Sequence, residues 1–241
     1  MVELSVVIPV RNEEDNVLGL LGEIEAALSG TLDFETIFVD DGSDDTTLER
    51  LKSVKPGHDR LRIIAHDRGC GQSSAIRSGV LAARGRLIAT IDGDGQNDPA
   101  DIPNLVATFR ALPASDRVGM VSGHRQNRRV APAKKMASRL ANAIRSRVLG
   151  DRTADTGCAL KIFRREDYLR LPYFDNMHRY LTALMMREGW NVRFVPVNDR
   201  PRLHGASKYG IWGRAVVSLR DLMGVMWLQR RCTLPGNARE Y

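Results

Sequence analysis

Short apolar runs alternate with stretches of helical periodicity through the first half of the chain. The apolar runs predict buried strands at residues 4–9, 34–39, 62–65 and 87–91. Between them, apolar residues recur at helical spacing, which predicts helices over residues 17–28, 47–54 and 73–83. Because strand–helix units follow one another and their crossovers are right-handed by default, the pattern predicts an α/β fold with a mostly parallel central sheet and helices on both faces.

The second half continues the pattern less regularly. It predicts strands at residues 118–123, 159–163 and 193–197, and helices over residues 134–149, 174–188 and 211–231. The last of these helices gathers apolar residues, including Trp212, Met223 and Trp227, on one face and arginines elsewhere. Such a helix suits a membrane interface or a contact with a second copy of the chain, and the sequence leaves both open. We therefore expect a large domain over residues 1–209, an amphipathic helical extension over residues 210–231 and a flexible tail over residues 232–241.

Oxygen ligands cluster immediately after the fourth predicted strand. Asp92 and Asp94 stand one residue apart, and Gln96 adds a carboxamide. Alternate residues of an extended chain point to one side, so all three side chains would share a face. Such hard donors suit Mg²⁺ or Mn²⁺, which keeps coordination positions for substrate phosphates. The tip thus predicts a divalent-cation site and diphosphate chemistry, although a solvated turn before a helix at Asp98 and Pro99 is the simpler alternative.

The positive charge of the chain predicts a negatively charged partner. Its 241 residues carry a formal net charge of +7, and ten Lys or Arg stand against the single acid Asp151 between Arg117 and Arg152. Nucleic acid, anionic lipid and phosphorylated substrates all fit such an excess. The same stretch contains no aromatic residue to stack on bases, which argues against nucleic acid.

Cysteine usage and hydropathy bear on the compartment. Cys70, Cys158 and Cys232 are odd in number and form no CxxC pair, which argues against a disulfide framework and a structural zinc site and favours a reducing cytoplasm. The N-terminus runs directly into a strand without the pattern of a signal peptide. No window approaches the roughly 18 apolar residues that span a bilayer, so we expect no transmembrane segment.

Five motifs, occurring in order, together carry a family resemblance. They are Val7-Ile8-Pro9-Val10-Arg11-Asn12-Glu13, Val39-Asp40-Asp41-Gly42-Ser43, the Asp92/Asp94/Gln96 tip, Gly123-His124-Arg125 and His204-Gly205-Ala206-Ser207-Lys208-Tyr209. Over residues 4–231 the chain resembles the family 2 glycosyltransferases, and within them the polyprenyl-phosphate sugar synthases of the dolichol-phosphate mannose synthase type. The resemblance implies a GT-A fold over residues 1–209.

The resemblance also implies a role for individual residues. For the nucleotide-sugar donor it implies Pro9, Arg11, Glu13, Val39, Asp41, Asp92 and Gly93. For Mg²⁺ or Mn²⁺ it implies Asp92, Asp94 and Gln96. For the phosphate of the acceptor it implies Arg125, Arg139, Ser207 and Lys208. For catalysis it implies Asp92, Asp94, Arg125, Arg202 and Lys208. The chain departs from eukaryotic members at Arg11, where they commonly place an aromatic residue, so stacking on the base would be by guanidinium.

The nature of the acceptor follows from an acidic pair that this chain lacks. Transfer to a sugar hydroxyl needs a general base, and many family members carry an acidic dyad where this chain has Asp175 and His178. A phosphate monoester is already anionic. The sequence therefore predicts inverting transfer from a UDP- or GDP-sugar to polyprenyl phosphate at the cytoplasmic face of the inner membrane, for a cell-envelope glycan or lipid. A hydroxyl acceptor with Asp175 or Asp155 as base remains the first alternative, and a non-catalytic nucleotide-sugar or lipid-binding protein the second.

Overall fold

A seven-stranded sheet forms the centre of the computed structural model, which describes residues 2–125, 145–151, 153, 155, 157–201 and 211–233, the last range up to 218 by its backbone only. The strands are β1 (Leu4–Val10), β2 (Phe34–Asp40), β3 (Leu61–Ala65), β4 (Leu87–Thr90), β5 (Val118–Arg125), β6 (Lys161–Arg164) and β7 (Asn191–Val197). Their order is β3-β2-β1-β4-β6-β5-β7. All neighbouring pairs are parallel except those of β6, which runs antiparallel to β4 and β5. The predicted α/β fold with a mostly parallel sheet is confirmed.

Helices cover both faces of this sheet. The helices whose two ends both lie in the described residues are α1 (Val17–Leu28), α2 (Thr47–Val54), α3 (Gln72–Ala82), α4 (Ile102–Ala111), α5 (Arg165–Leu169), α6 (Leu181–Arg187) and α7 (Ile211–Arg230). The alternation of β1 explains the layers: Leu4, Val6 and Ile8 belong to the core under α1 and α4, whereas Val7 belongs to the core under α3 and α6. The apolar pattern along one strand thus sets the two hydrophobic layers.

The single helix predicted over residues 174–188 is wrong. Asn176 adopts a left-handed backbone conformation with φ 63°, a 3₁₀ turn follows at Met177–Tyr180, and α6 begins only at Leu181. A left-handed residue cannot continue a right-handed helix, so the chain turns here instead. Most of the helix predicted over residues 134–149 lies outside the described residues, of which 145–149 are helical.

The last helix packs onto the domain and also exposes apolar side chains. Val225 is fully buried, and the side chain of Arg187 donates from Nε to the carbonyl of Leu228 at 3.2 Å. On the other side Leu219, Met223 and Trp227 are 59, 56 and 60% exposed. Apolar residues therefore occupy two sides of α7, not the one face predicted. In the described part of the chain, no helix is long and apolar enough to cross a bilayer.

Candidate active site

Three parallel neighbours, β2, β1 and β4, end at one edge of the sheet. Because β1 pairs with both of the others, the loops that follow Val10, Asp40 and Thr90 lie side by side. The backbone N–H of Asp41 donates to Val10 O at 2.8 Å, which fixes two of these loops to each other. Ligands of open α/β sheets bind at such an edge, and most of the predicted residues come together there.

The carboxylate tip after β4 is a turn. Gly93 packs against β1, where a Cβ would lie 2.5 Å from Val10 Cγ1, and Gly95 has φ +72°. The carboxylate of Asp94 accepts the backbone N–H of Gln96 at 3.1 Å, which closes the turn. The extended geometry predicted for Asp92, Asp94 and Gln96 is therefore wrong, because the glycines let the chain reverse here.

Like charges accumulate at this tip. The pKa of Asp92 is raised to about 6 by burial and by the neighbouring charge of Asp94, although Lys161, Arg125 and a hydrogen bond from Gln72 oppose the rise. The Gln72 side chain donates from Nε2 to Asp92 Oδ1 at 2.8 Å. Two carboxylates that raise each other's energy form a donor set that suits a hard divalent cation.

Asp41 holds a neighbouring loop in place. Its carboxylate accepts the backbone N–H groups of Cys70 at 2.8 Å and Gly71 at 2.7 Å, and Oδ1 lies 2.8 Å from His66 Nδ1. The other ring nitrogen of His66 is 2.9 Å from Ser78 Oγ. Asp41 is thus a rigid, buried anion at the predicted nucleotide site, fixed by the loop that precedes α3.

The other residues predicted for the nucleotide differ in exposure. Pro9 is half-buried and lines a pocket, and Arg11 is exposed with its guanidinium against Gly69, where a Cβ would overlap it. Glu13 accepts the side-chain N–H of Asn16 at 2.7 Å. The side chain of Val39 is fully buried in the core, so only its backbone is left for the predicted contact.

Arg125 is bound by carboxylates at the end of β5. Its Nε and Nη2 donate to Asp155 at 2.8 and 2.9 Å, and its Nη1 lies 3.7 Å from Asp199. Burial alone would lower the pKa of Arg125, but the hydrogen bonds and charge of Asp155 raise it well above its ordinary value. Its predicted role at an acceptor phosphate stays a prediction, and that role requires the guanidinium to exchange these partners.

A pocket of about 280 Å³ extends from Asp92 into the molecule. Its walls include Lys161 at the start of β6 and His178 and Arg179 in the 3₁₀ turn. Sequence reasoning missed Lys161, and for His178 it weighed a role as a base against a core or capping role. The β6 strand that brings Lys161 to this edge runs antiparallel, an orientation that the local apolar pattern does not reveal.

Hydrogen bonds with Ser73 hold His178 in place. Ser73 Oγ accepts the backbone N–H of His178 at 3.2 Å and lies 2.7 Å from Nδ1 of its ring. Burial, helped by the charges of Arg179 and Lys161, lowers the pKa of His178 to about 3. A histidine in this state is a poor general base at neutral pH.

Four predicted residues lie outside the described residues, namely Arg139, Arg202, Ser207 and Lys208. Their assignments to catalysis or to the acceptor phosphate therefore stay predictions.

Comparison with known sequences gives a consistent match. The sequence model described as Glycosyl transferase family 2 matches residues 5–171. A dodecaprenyl-phosphate galacturonate synthase of Rhizobium johnstonii is 38% identical over 98% of this chain and 70% of its own length. An undecaprenyl-phosphate 4-deoxy-4-formamido-L-arabinose transferase of Edwardsiella ictaluri is 35% identical over 86% of this chain and 63% of its own length. The chain thus spans less than two thirds of the second relative.

Comparison with solved structures shows the same fold. Glucosyl-3-phosphoglycerate synthase from Mycobacterium tuberculosis, in complex with Mn²⁺, UDP and glucosyl-3-phosphoglycerate, superposes with a TM-score of 0.68 at 19% identity, over 97% of this chain and 81% of that one. A mannosyltransferase from Pyrobaculum calidifontis, in complex with GDP-Man and Mn²⁺, gives a TM-score of 0.65 at 20% identity, over 98% of this chain and 66% of that one. The expected GT-A fold is confirmed.

Proposed function

The chain belongs to glycosyl transferase family 2, and from that premise we propose that it moves a sugar from a UDP- or GDP-linked donor to the phosphate of a polyprenol. The two relatives described above are named for polyprenyl-phosphate products, one with galacturonate and one with a formamido-arabinose. The chain aligns with 70 and 63% of their lengths, so their activities support the proposal for this chain through the aligned part.

The choice of a phosphate acceptor rests on one observation: the described residues that line the pocket offer no general base. Among the described residues that line it, Asp92 is the single carboxylate, and we assign it to the metal. Asp155 is bound to Arg125, Asp175 is exposed, and His178 is neutral with Nδ1 bound to Ser73. An acceptor that is already anionic needs no proton removed, so a phosphate fits this pocket better than a hydroxyl.

In the proposed reaction an oxygen of the acceptor phosphate attacks the anomeric carbon. The carbon–oxygen bond to the nucleoside diphosphate breaks, that diphosphate leaves with the electron pair, and an α-linked donor gives a β-linked polyprenyl-phosphate sugar. Asp92, Asp94 and Gln96 would hold Mg²⁺ or Mn²⁺, and the cation would neutralise charge on the leaving diphosphate. Both structural neighbours were solved with Mn²⁺, which supports this assignment. Asp41 and the loop at residues 66–71 would fix the base and ribose.

The test is transfer of radiolabel from UDP- and GDP-sugars to a short-chain polyprenyl phosphate with Mn²⁺ or Mg²⁺, with the matching polyprenol as the hydroxyl control. We expect label in the lipid phase with the phosphate and not with the alcohol, and none with Asp94→Ala. Equal transfer to the alcohol that is lost in an Asp155→Asn or Asp175→Asn variant would favour the hydroxyl acceptor. Binding of donor and lipid with no transfer under any condition would favour the binding protein.

The exposed side of α7 supports a peripheral position on the cytoplasmic face of the membrane. Leu219, Met223 and Trp227 follow one another at four-residue spacing, and Arg230 and Arg231 are exposed at the end of the helix. Apolar and basic side chains in this arrangement fit the surface of an anionic bilayer, where the polyprenyl acceptor resides.

Sedimentation with vesicles tests this surface. We expect the protein to sediment with phosphatidylglycerol vesicles, and Leu219→Ser/Met223→Ser/Trp227→Ser to stay in solution with an unchanged melting temperature. If the triple variant still sediments but changes from a dimer to a monomer in analytical ultracentrifugation, the stripe contacts a second copy of the chain.

A further inference from the structure

The pocket next to Asp92 has cationic side chains in its wall. Lys161 is 6% exposed and lies in the pocket wall, and its ammonium donates to the carbonyl of Cys158. No carboxylate in the described parts of the chain forms an ion pair with it, and Asp92 and Asp155 act on it only over a longer distance. A buried ammonium without a close counter-charge is costly, which indicates a site made for an anion.

Two further donors face the same space. The 3₁₀ turn brings Arg179, half-buried, into the pocket wall, and its guanidinium forms no ion pair with any residue that the structure describes. His178 also lines the pocket, and its Nδ1 lies 2.7 Å from Ser73 Oγ. The pocket wall therefore offers an ammonium, a guanidinium and an imidazole ring, a set of groups suited to the oxygens of an anion.

The position of the pocket indicates which part of the substrate reaches these donors. It is bounded by Pro9, at the predicted nucleotide site, and by Asp92, at the predicted metal site. The transferred sugar is bonded directly to the diphosphate, so in the bound donor it must lie next to Asp92. We propose that this sugar is a hexuronic acid and that Lys161 binds its carboxylate, with Arg179 as a second cation in the pocket wall and His178 hydrogen-bonding to a ring substituent. The inference rests on the proposed function, whose sugar it names.

Paired donors that differ only at the sugar C6 give the test. UDP-galacturonic acid is compared with UDP-galactose, and UDP-glucuronic acid with UDP-glucose, by calorimetry without acceptor and by kcat/KM with polyprenyl phosphate. We expect the wild-type protein to prefer an acid over its neutral partner by at least about tenfold. Lys161→Met should reduce that preference by about 10- to 100-fold, because a charge-assisted hydrogen bond is lost, and leave the neutral sugar within about threefold.

Two variants guard against a merely structural effect. Arg179→Met removes a half-buried side chain and should lower the preference for the acid by a smaller factor, about three- to tenfold. This variant still tests the site if the Lys161→Met protein does not fold. Arg193→Met removes an exposed arginine of β7 whose partner is Asp116, and it should leave the preference unchanged. A preference retained in a folded Lys161→Met protein would refute the assignment.

The remaining outcomes separate this inference from the proposed function. Absence of a preference for acids in the wild-type protein would overturn the inference while leaving polyprenyl transfer intact. A Lys161→Met variant with a raised KM for polyprenyl phosphate, equal for acidic and neutral donors, would place the acceptor phosphate at Lys161 and also overturn it. Selective binding of an acidic donor without any transfer to polyprenyl phosphate would refute the proposed acceptor and support the carboxylate site.

Discussion

Two neighbouring regions at the same edge of the sheet hold their carboxylates in opposite ways. After β4, Asp92 and Asp94 stand close enough that the pKa of Asp92 rises to about 6 through burial and the charge of Asp94. At the end of β5, the guanidinium of Arg125 forms an ion pair with Asp155 and lies 3.7 Å from Asp199. These opposite charges hold the chain together, whereas the like charges of Asp92 and Asp94 favour the binding of a cation. Whether a buried carboxylate lies next to an opposite or a like charge thus distinguishes structural residues from reactive ones better than its degree of burial does.

The largest effect is expected from removing one of the two like charges in the turn after β4. Asp94→Asn should lower kcat/KM by about 10²- to 10³-fold, since one stabiliser of the leaving diphosphate is lost. Its melting temperature in metal-free buffer should be unchanged or higher, because one of two like charges is gone. Thermal unfolding with and without Mn²⁺ is the accompanying measurement, and the cation should stabilise the wild type and not the variant.

Asp59→Asn is the matched control, because Asp59 is an exposed surface acid. It should leave both kinetics and the response to Mn²⁺ unchanged. An Asp94→Asn protein that melts earlier than the wild type without metal would show that the tip is part of the framework.

Breaking the ion pair between Arg125 and Asp155 should have the opposite effect on stability. Asp155→Asn leaves the buried Arg125 without its bidentate partner, and we expect a loss of about 3 kcal/mol in the free energy of unfolding. Urea denaturation measures it. Stability equal to wild type, together with loss of transfer only to hydroxyl acceptors, would identify Asp155 as a base.

Glu35 is another acid with positively charged and hydrogen-bonding partners, and it lies far from the site. It tests whether such pairing is enough to make the stability of the protein depend on pH. Burial would raise the pKa of Glu35, but hydrogen bonds from Ser5, the backbone of Arg84 and Arg62, with the charge of Arg62, lower it overall. The folded pKa lies below 4.5, so its contribution is present above that pH and is lost as the pH falls through the folded value.

Glu35→Gln should therefore cost about 1.5–3 kcal/mol at pH 7 and flatten the decline of stability below pH 4.5. Urea midpoints measured between pH 3 and 7 give both quantities. Because Glu35 is remote from the pocket, kcat/KM of the folded variant should remain that of the wild type, and a drop in kcat/KM would contradict its framework role.

The smallest effect is expected at His178. Its pKa near 3 leaves the ring neutral across the working range, so kcat/KM should show no titration of this residue between pH 5 and 8. His178→Gln retains an N–H donor and should keep activity within about tenfold. A limb of the pH profile that disappears in this variant would make His178 a base and favour the hydroxyl acceptor.

The features that the sequence predicts correctly depend on neighbours along the chain. The apolar runs that end at Val10, Asp40 and Thr90 mark strands, and parallel pairing brings the residues after them together. Local backbone conformation is less visible. Gly95 at φ +72° bends a segment that alternation suggested was extended, and Asn176 at φ 63° delays a helix that periodicity placed earlier.

The missed features depend on partners far away in sequence. Arg125 meets Asp155 across 30 residues, and His178 meets Ser73 across 105. No periodicity reports such pairs, so the ion pair of Arg125 and the hydrogen bond between His178 and Ser73 appear only in three dimensions. Lys161 was missed for a related reason, since a lysine within a predicted strand looks like a solvated surface residue until the direction of β6 is known.

Because β6 is antiparallel to its neighbours, the residues that we assign to the sugar come from a different part of the sequence than those that we assign to the nucleotide and the metal. Residues that we assign to nucleotide and metal lie in β1 and β2 and in the segments that follow β1, β2 and β4, whereas the cationic part of the pocket wall comes from the start of β6 and from the turn before α6. The two kinds of specificity are therefore written in separate, non-overlapping stretches of sequence. Selection for a new sugar can act on the later stretch alone, and a chimera that exchanges residues 157–181 between two such enzymes should carry the sugar preference with it while the nucleotide preference stays behind.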